Sequence, residues 1–404
     1  MEILLISDKA PWPANSGGAF ATGAFTRQLL RSGHHVTVAC YHTKKHPYIN
    51  SNSLTGEKEN LSIVPVKVRS SISIAGLLFN LLFSGLPYDI GRYRTQSFRR
   101  VLKELLSAAN YDIVQFEGLK VCLHIDLVKK HCDSRLVYRA HNIESNLWQK
   151  RATIANNALA GWYYRKLANR TLAFEQEVYK KITGLIAISD EDRLGIQHLY
   201  SGKSVTILPV SEDLTEAYTF SDRHKLKNSL LFLGSLDWQP NLNGLEWFLK
   251  KVFPLIRDKN KNIKLRVAGR GASRNTIRLI EKSGALYQGS PEDSVSFLKS
   301  GSVLIVPLFA SSGIRIKIIE ALAQGLDVIS TFEGAAGLPD EIKAIIKIEE
   351  AAESFARQVL KLTERNSTYS REELARMELV KSFFGKFAGI NKINEFYSDI
   401  VNDS

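Results

Sequence analysis

The sequence predicts an α/β protein built from two doubly wound domains. With 404 residues and 44% hydrophobic residues, the chain is too long for one ordinary core and fits two domains of about 200 residues each. Two stretches, one towards each end, also show the same succession of buried strand, small-residue loop, helix and second strand. Such βαβ units are typical of open parallel sheets, which bind ligands at the carboxyl ends of their strands.

The first of these stretches begins at the start of the chain. Residues 1–6 are a buried strand, the loop after it contains Gly17 and Gly18, a helix is predicted over Ala19–Ser32, and His34–Cys40 is the next strand. The two glycines either let backbone approach a phosphate or a sugar, or mark a plain turn. A dinucleotide fingerprint is excluded, because GxGxxG is absent and no acidic residue follows the second strand.

Later strands of the first domain bring one histidine to the sheet edge. We predict these strands at Leu61–Val68, Tyr111–Phe116, Arg135–Arg139, Leu185–Ser189 and Val205–Val210. His141 comes just after the third of them, where a doubly wound domain presents side chains to ligands. His141 is therefore either part of a ligand site or a loop histidine without a functional role.

An acidic run follows the strand at Leu185–Ser189. Asp190-Glu191-Asp192 matches a DxD metal-binding pattern. We favour another interpretation, in which Ser189 caps a helix whose first turn is acidic, because Asp192 comes three residues after Ser189.

The second βαβ unit, residues 303–331, carries the clearest site signal. A buried strand at Val303–Val306 leads into a small-residue loop, Ala310 to Gly313, and then into a helix with Arg315, Lys317 and Glu320 near its start. Free backbone N–H groups, a helix N-terminus and two cations form an anion site, and a carboxylate further along accepts from a sugar diol. The alternative is a βαβ unit whose charges are merely solvated.

Charge and cysteine content limit the class of protein. Residues 1–204 hold 27 Lys and Arg against 16 Asp and Glu, and residues 205–404 hold 27 against 25. The basic first half suggests an anionic partner such as a membrane surface or an anionic acceptor. Nucleic acid is disfavoured, because no nucleic-acid motif appears. Three cysteines without a CxxC argue against a disulfide framework or a zinc site. We expect no signal peptide and no membrane span.

One further region combines apolar and basic residues. The apolar tract 72–86 runs into a segment with five cations, Arg92, Arg94, Arg99, Arg100 and Lys103. Such a combination lies in a membrane interface or, equally, is a solvated helix face packed on a core helix.

The chain resembles glycosyltransferase family 4, the retaining nucleotide-sugar transferases of the GT-B fold. The resemblance covers most of the chain and is carried mainly by residues 232–256 (FLGSLDWQPNLNGLEWFLKKVFPLI) and 311–338 (SSGIRIKIIEALAQGLDVISTFEGAAGL). Residues 13–18 (PANSGG) and 137–148 (VYRAHNIESNLW) add weaker matches. It implies two Rossmann-like domains facing a central cleft, with the C-terminal helix packing back on the N-terminal domain.

The resemblance also assigns domains and site residues. The domains would be an acceptor-binding domain at 1–210, a linker at 211–228, a donor-binding domain at 229–385 and the returning helix at 386–404. His141, Lys317 and Glu320 would act in catalysis, with His141 positioning the sugar and Glu320 holding the ribose hydroxyls. The donor-binding set would be Gly17, Gly18, Ser235, Ser311, Ser312, Gly313, Ile314, Arg315, Lys317 and Glu320.

Two departures from the family pattern concern the donor. Ser312 replaces the first glutamate of the family's paired-glutamate motif, and Ser235 replaces an arginine of the second domain's first loop. A lysine usual a few residues further on is also missing. The diphosphate thus loses its ordinary cations, and we expect Arg315 and Lys317 to replace them.

The function implied is transfer, with retention, from a UDP- or GDP-sugar to a glycan or lipid-linked acceptor in cell-surface polysaccharide or glycoconjugate synthesis. No metal and no cofactor are expected. The location implied is cytoplasmic, with peripheral association at the inner face of the membrane left open. The alternative is a catalytically weak nucleotide-sugar-binding protein of the same fold, which the absence of the first glutamate favours.

Overall fold

The chain folds into two compact α/β units. The computed structural model describes residues 1–402 except 14–15, 44–46, 50–58, 69–72, 156, 200–203, 209–226, 292, 311–313, 365–369 and 386–387. The first unit comprises residues 1–212 and 389–404, and the second comprises residues 213–388. The predicted linker, residues 211–228, lies almost entirely outside the described residues.

The first unit is a parallel sheet with helices between its strands. Its elements are β1 (Glu2–Ser7), α1 (Gly17–Arg31), β2 (His35–His42), β3 (Leu61–Lys67), α2 (Ile74–Phe83), α3 (Tyr88–Gly91), α4 (Gln96–Ala108), β4 (Ile113–Glu117), α5 (Ile125–His131), β5 (Arg135–Ala140), α6 (Glu144–Thr153), α7 (Ala158–Lys181), β6 (Gly184–Ala187), α8 (Asp190–Gln197) and β7 (Val205–Ile207). The described strands pair in the order β3-β2-β1-β4-β5-β6-β7. The order reverses between β1 and β4, where doubly wound sheets bind ligands.

The first strand shows why this sheet is buried on both faces. Leu4 and Ile6 join one hydrophobic core, whereas Ile3 and Leu5 join the core on the opposite face. Successive side chains of a strand point to opposite faces, so a sheet covered on both sides needs continuous apolar runs. The run ILLIS was therefore readable from the sequence as a buried strand.

The second unit repeats this design. Its elements are β8 (Ser229–Leu233), α9 (Gln239–Trp247), a π-helical turn (Phe248–Val252), α10 (Phe253–Lys259), β9 (Lys264–Ala268), α11 (Arg274–Lys282), β10 (Leu286–Tyr287), α12 (Ser294–Leu298), β11 (Val303–Val306), α13 (Ile316–Ala323), β12 (Asp327–Ser330), α14 (Phe332–Ala335), α15 (Asp340–Ala344), β13 (Lys347–Ile348), α16 (Ala352–Thr363) and α17 (Arg371–Phe384). The described strands are parallel, in the order β10-β9-β8-β11-β12-β13. The α/β class predicted from the sequence, with two Rossmann-like parallel sheets, is confirmed.

The last helix, α18 (Ile390–Asn402), belongs to the first unit. Its buried residues Ile393, Phe396, Tyr397 and Ile400 join the core formed by one face of the sheet and α1. The hydroxyl of Tyr397 donates to Oε1 of Gln115 in β4. Apolar burial and one buried hydrogen bond thus hold the end of the chain on the first sheet.

The apolar tract 72–86 contains α2, which the sequence analysis did not assign to an element. Ser73 caps it by accepting from the backbone N–H of Gly76 at 3.2 Å. With 10 residues it is too short to cross a bilayer. Across the part of the chain that the structure describes, no helix has both the length and the apolar character of a membrane span.

Close packing between α9 and the loop after β11 generates a first prediction. A Cβ atom at Gly244 would lie 1.7 Å from the carbonyl oxygen of Pro307. We expect Gly244→Ala to lower the free energy of unfolding of the second unit by about 1–3 kcal/mol, because backbone must move to admit the methyl group. Urea denaturation followed by tryptophan fluorescence measures this loss. Glu246→Ala, on the exposed side of the same helix, should change it by less than about 0.5 kcal/mol. Equal midpoints for the two variants would contradict the packing argument.

Candidate active site

Each unit carries candidate site residues at the carboxyl ends of its own strands. In the first unit, His141 follows β5 and its Nε2 lies 2.9 Å from Oε2 of Glu117, the last residue of β4. The His141 side chain is 18% exposed, whereas that of Glu117 is fully buried. The strand geometry therefore brings together a half-buried histidine and a buried carboxylate.

Glu117 is ionised in this buried position. Burial alone would raise its pKa, but the charge of Arg139 and the hydrogen bond from His141 lower the pKa to about 2. Nη1 of Arg139 donates to Oε2 of Glu117 at 3.0 Å, and the guanidinium also lies 4.4 Å from the centre of the Phe25 ring. Thr22 donates to the same carboxylate oxygen at 3.3 Å.

The carboxylate sets the orientation of His141. An ionised carboxylate only accepts hydrogen bonds, so Nε2 of His141 carries the proton in this contact. In a neutral ring, Nδ1 is then the acceptor. Glu117 thus holds the imidazole in one tautomer, with one ring nitrogen available to accept from a ligand hydroxyl.

A second charged group lies at the same sheet edge. Nζ of Lys120 donates to Oδ2 of Asp8, just after β1, at 3.0 Å, and Nζ of Lys9 lies 4.0 Å from Oδ1. Burial would raise the pKa of Asp8, but the charges of Lys9 and Lys120 hold it well below its usual range. This edge therefore presents an ionised carboxylate between two ammonium groups.

The two glycines predicted to bind the donor lie in the first turn of α1 and not in a loop. Ser16 caps the helix by accepting from the N–H of Ala19, so the helix begins two residues earlier than predicted. A Cβ atom at Gly18 would lie 2.8 Å from Nζ of Lys9, whereas one at Gly17 would meet nothing within 4 Å among the described residues. Gly18 therefore accommodates the Lys9 side chain.

In the second unit, Ser235 lies just after β8 and is held by two neighbours. Its hydroxyl accepts from Nε of Arg270 at 3.3 Å, and its carbonyl accepts from Nδ2 of Asn241 at 3.0 Å. Asn241 belongs to α9, which begins at Gln239, so the QPNLN segment opens a helix. Arg270 follows β9 and places its guanidinium beside Ser235.

Lys317 is a buried amine at the start of α13. Its Nζ donates to the carbonyl oxygen of Leu233 at 2.8 Å, and it lies 3.5 Å from Oδ1 of Asn241. Burial first, and then the charge of Arg315, lower its pKa from 10.5 to about 7. The residue is half-buried overall, but its amine is turned towards the end of β8. Any anion that arrives there would favour the charged form.

The other predicted donor residues take different positions. Arg315 is the N-cap residue of α13, so it precedes the first turn, and its guanidinium lies 5.9 Å from the centre of the Trp238 ring. Oε1 of Glu320, which is 8% exposed, accepts from the hydroxyl of Ser294 at 2.9 Å. Lys317 and Glu320 therefore share a helix but take different partners. Ile314 is half-buried, and Ser311, Ser312 and Gly313 lie outside the described residues.

The acidic run after β6 serves the helix that it begins. The N–H of Asp192 donates to the Ser189 hydroxyl at 3.1 Å, which makes Ser189 the cap of α8 as predicted. The same hydroxyl donates to Oδ2 of Asp192 at 2.6 Å, and Asp190 pairs with Arg193 at 3.2 Å.

The chain is similar to glycosyltransferases in part of its sequence and in its fold. Residues 227–365 match the family described as glycosyl transferases group 1. A Klebsiella pneumoniae relative, an "uncharacterized 44.6 kDa protein in cps region", is 24% identical over 353 residues, which cover 83% of this chain and 84% of the relative. Sucrose-phosphate synthase from Thermosynechococcus elongatus has a similar structure over 100% of both chains, with a TM-score of 0.73 and 13% identity. Anabaena HepE in complex with UDP matches over 99% of this chain and 100% of its own, with a TM-score of 0.65 and 11% identity.

The fold is therefore GT-B, as the sequence predicted. The match of the second unit to glycosyl transferases group 1, together with this fold, supports a GT-B glycosyltransferase.

Three site residues were not found by sequence reasoning. Glu117 ends a buried strand and Arg139 lies within one, and their pairing spans 22 positions of the chain. Arg270 stands in a Gly-Arg-Gly run after β9. An acidic residue at the carboxyl end of an apolar strand could have indicated Glu117, because a buried carboxylate needs a charged or hydrogen-bonding partner.

The buried ion pair generates the second prediction. We expect Glu117→Gln to lower the free energy of unfolding of the first unit by about 3–5 kcal/mol, because Arg139 would remain buried without its counter-charge. The stabilisation from Glu117 is present above its ordinary pKa of 4.5 and is lost as the pH falls towards about 2. The difference between wild type and variant should therefore shrink over that interval in urea titrations. Glu104→Gln, which removes an exposed pair with Arg100, is the control and should have little effect. Similar losses in both variants would refute the assignment.

Proposed function

We propose that the protein is a retaining glycosyltransferase that moves a sugar from a UDP- or GDP-sugar to a glycan or lipid-linked acceptor. The observation that carries the proposal is the set of polar groups at the carboxyl end of the second sheet. Arg270, Arg315 and Lys317 supply positive charge there, and Glu320 supplies a carboxylate further along α13. This set lies within the part of the chain that matches glycosyl transferases group 1.

The cations suit the chemistry of a nucleotide-sugar leaving group. When the bond to the anomeric carbon breaks, negative charge builds on the diphosphate. Removing one preorganised donor for such charge typically costs about 3 kcal/mol of transition-state stabilisation. Lys317 is suited to this task, because burial lowers the pKa of its amine to about 7 and a bound anion would favour the charged form.

Glu320 is proposed to hold the ribose hydroxyls. Its Oε1 accepts from Ser294 in this structure, and a ribose diol offers two hydroxyl donors of the same kind. Ser312 takes the place of the first glutamate of the family motif, so the donor sugar would be contacted there by a hydroxyl or by backbone.

The acceptor side is proposed to lie on the first unit, around His141. Glu117 orients the imidazole, so His141 would position the transferred sugar and not act as a nucleophile. In the retaining reaction proposed, the acceptor attacks from the face that the nucleotide leaves, and the leaving diphosphate takes the acceptor's proton. Gly17 would leave room for the donor at the start of α1.

Metal-independent transfer at a cytoplasmic membrane face completes the proposal. The hydrogen bond from Asp192 to the capping residue Ser189 and the ion pair of Asp190 with Arg193 support a structural role for the acidic run 190–192. The relative named for a cps region supports a role in cell-surface polysaccharide synthesis. HepE and TarM, whose structures contain UDP, support a nucleotide-sugar donor.

The alternative function is nucleotide-sugar binding with little turnover. Ser312 in place of a glutamate favours it, because the donor sugar loses one charged contact. Release of nucleotide with and without added acceptor distinguishes the two: a transferase releases nucleotide faster with acceptor, and a binding protein does not.

The donor is the subject of the third prediction. We expect UDP- or GDP-sugars, and not ADP- or CMP-sugars, to raise the thermal midpoint, because a ligand at 100 times its Kd adds about 2.7 kcal/mol of stability. The measurement is a thermal-shift screen, followed by NMR of the product's anomeric configuration with the best donor. Absence of a shift with every nucleotide sugar would reject the donor site, and inversion at the anomeric carbon would reject the retaining mechanism.

Lys317 generates the fourth prediction. A bound diphosphate raises the pKa of the amine above its free value of about 7, so binding takes up a proton at higher pH. The Kd of the UDP-sugar should therefore be constant below pH 7 and should rise by up to about tenfold per pH unit above it, until the bound-state pKa is passed. Calorimetric titrations from pH 6 to 9 measure this dependence.

Two variants and one control sharpen that experiment. Lys317→Met should bind more weakly at pH 6 and lose the pH dependence, and Arg315→Ala should weaken binding by roughly tenfold or more, as expected for a charged hydrogen bond. Arg278→Ala, an exposed cation on α11, should bind like the wild type. If neither Lys317→Met nor Arg315→Ala changed the affinity, the cation assignment would be wrong.

A further inference from the structure

The first unit exposes an unusual helix. Four apolar side chains of α2 are largely open to solvent: Leu78 at 52%, Phe79 at 67%, Leu82 at 71% and Phe83 at 73%. The rings of Phe79 and Phe83 lie 5.1 Å apart, one turn from each other, and form a single apolar surface. The helix contains no charged residue. A soluble domain rarely exposes so much contiguous apolar area without a partner.

Polar contacts hold α2 against the rest of the unit. Nη1 and Nη2 of Arg170, in α7, donate to the carbonyls of Asn80 and Leu81 at 3.1 and 2.9 Å. At the other end, the N–H of Ser73 donates to the hydroxyl of Tyr88 at 2.9 Å. An ordinary surface helix buries its apolar side and exposes its polar side. In α2, two backbone carbonyls contact the protein and four large apolar side chains face outwards, whereas Leu77 and Leu81 are half-buried.

Cations follow α2 closely in the fold, on the side of the helix where Asn80 lies. A Cβ atom at Gly91 would lie 3.7 Å from Nδ2 of Asn80. The carbonyl oxygen of Gly91 accepts from the N–H of Arg94 at 3.1 Å. From Arg94 an open cavity of about 470 Å³ continues along α4, lined by Arg94, Gln96, Arg99, Arg100 and Lys103. A neighbouring cavity of about 320 Å³ shares Arg94, Arg99 and Lys103 and adds Lys130. Like charges so close together repel unless anions neutralise them.

Carboxylates near these cavities are engaged elsewhere. Asp126 lines the second cavity but pairs with Lys181 at 2.8 Å. Glu104 is 3.9 Å from Arg100, an exposed and weak pair. Among the described residues, no ion pair is found for Arg94, Arg99 or Lys103. The cavities therefore carry a net positive charge.

The helix bonded to α2 adds an aromatic anchor. Leu159 and Trp162 of α7 are 74% and 47% exposed. The ammonium group of Lys166 lies 5.3 Å from the centre of the Trp162 ring. Tryptophan with a neighbouring lysine is typical of the headgroup level of a bilayer.

We propose that α2 and the neighbouring cations of α4 form a docking surface for an anionic lipid bilayer. Leu78, Phe79, Leu82 and Phe83 enter the boundary between headgroups and acyl chains, and Arg94, Arg99 and Lys103 bind lipid phosphates. Apolar insertion combined with basic residues is the arrangement by which interfacial helices bind membranes. This assignment deepens the membrane-face part of the proposed function and rests on it.

The test is co-sedimentation of the full chain with vesicles of phosphatidylcholine alone or mixed with phosphatidylglycerol. The wild type should bind the anionic vesicles strongly, bind the neutral ones weakly and dissociate as salt is added. Arg99→Ala/Lys103→Ala should lower partition by roughly 25-fold, since each basic residue near an anionic surface contributes about fivefold. Phe79→Ser/Phe83→Ser should lower partition at all salt concentrations.

Matched controls are available in the second unit. Phe332→Ser removes an equally exposed phenylalanine, and Arg278→Ala/Lys282→Ala removes an exposed pair of cations one turn apart on α11. Both should bind vesicles like the wild type. Thermal midpoints and UDP-sugar affinity are measured for every variant without lipid. If the wild type bound the UDP-sugar but no vesicles, only this inference would be overturned. If it bound anionic vesicles but no UDP-sugar, only the donor site would be overturned.

Two other results would also overturn it. If the wild type sedimented equally with neutral and anionic vesicles, the cations would have no lipid role. If Phe79→Ser/Phe83→Ser changed the oligomeric state in size-exclusion chromatography but not vesicle binding, the apolar face would contact a second copy of the chain.

Discussion

The first unit depends on one buried ion pair. Glu117 and Arg139 are both fully buried, at the ends of adjacent strands, so neither charge is tolerable without the other. Their hydrogen bonds extend to α1 through Thr22 and to α18 through Gln115 and Tyr397. His141 is attached to the same carboxylate. The group that specifies how four elements meet is therefore also the group that orients the candidate catalytic histidine.

The second unit also buries a charged group, but without a counter-charge among the residues that the structure describes. The Lys317 amine is buried against the end of β8 with a backbone carbonyl and an amide oxygen for partners. Neither partner carries a full negative charge, so the ammonium form is favoured less than in water. A structural residue with a counter-ion would gain nothing from an arriving anion. An arriving anion would give Lys317 the charge partner that its hydrogen-bonded contacts with Leu233 and Asn241 do not supply, and this is the physical basis for proposing that it binds the donor.

Periodicity in the sequence was sufficient for the fold and for the strands at whose carboxyl ends the candidate site residues lie. Continuous apolar runs identified β1 and β11, and Ser189 was identifiable as a cap from its spacing to Asp192. The partners of the site residues were not predictable, because they depend on contacts between distant positions. Lys317 and Leu233 are 84 residues apart, and only the folded sheet makes them neighbours. The start of α1 was also missed, since Gly17 and Gly18 were assigned to a loop although they lie in its first helical turn.

The position of α18 has a consequence for synthesis of the chain. Residues 390–402 are made after the whole second unit, yet they complete the core of the first. Until Tyr397 emerges, Gln115 lacks its hydroxyl partner and one face of the first sheet lacks four of its large apolar side chains. Domains ordinarily fold in order from the N-terminus as they leave the ribosome. Here the unit that is synthesised first is completed last, so a nascent chain carries a sheet face that α1 covers only in part throughout synthesis of its second half.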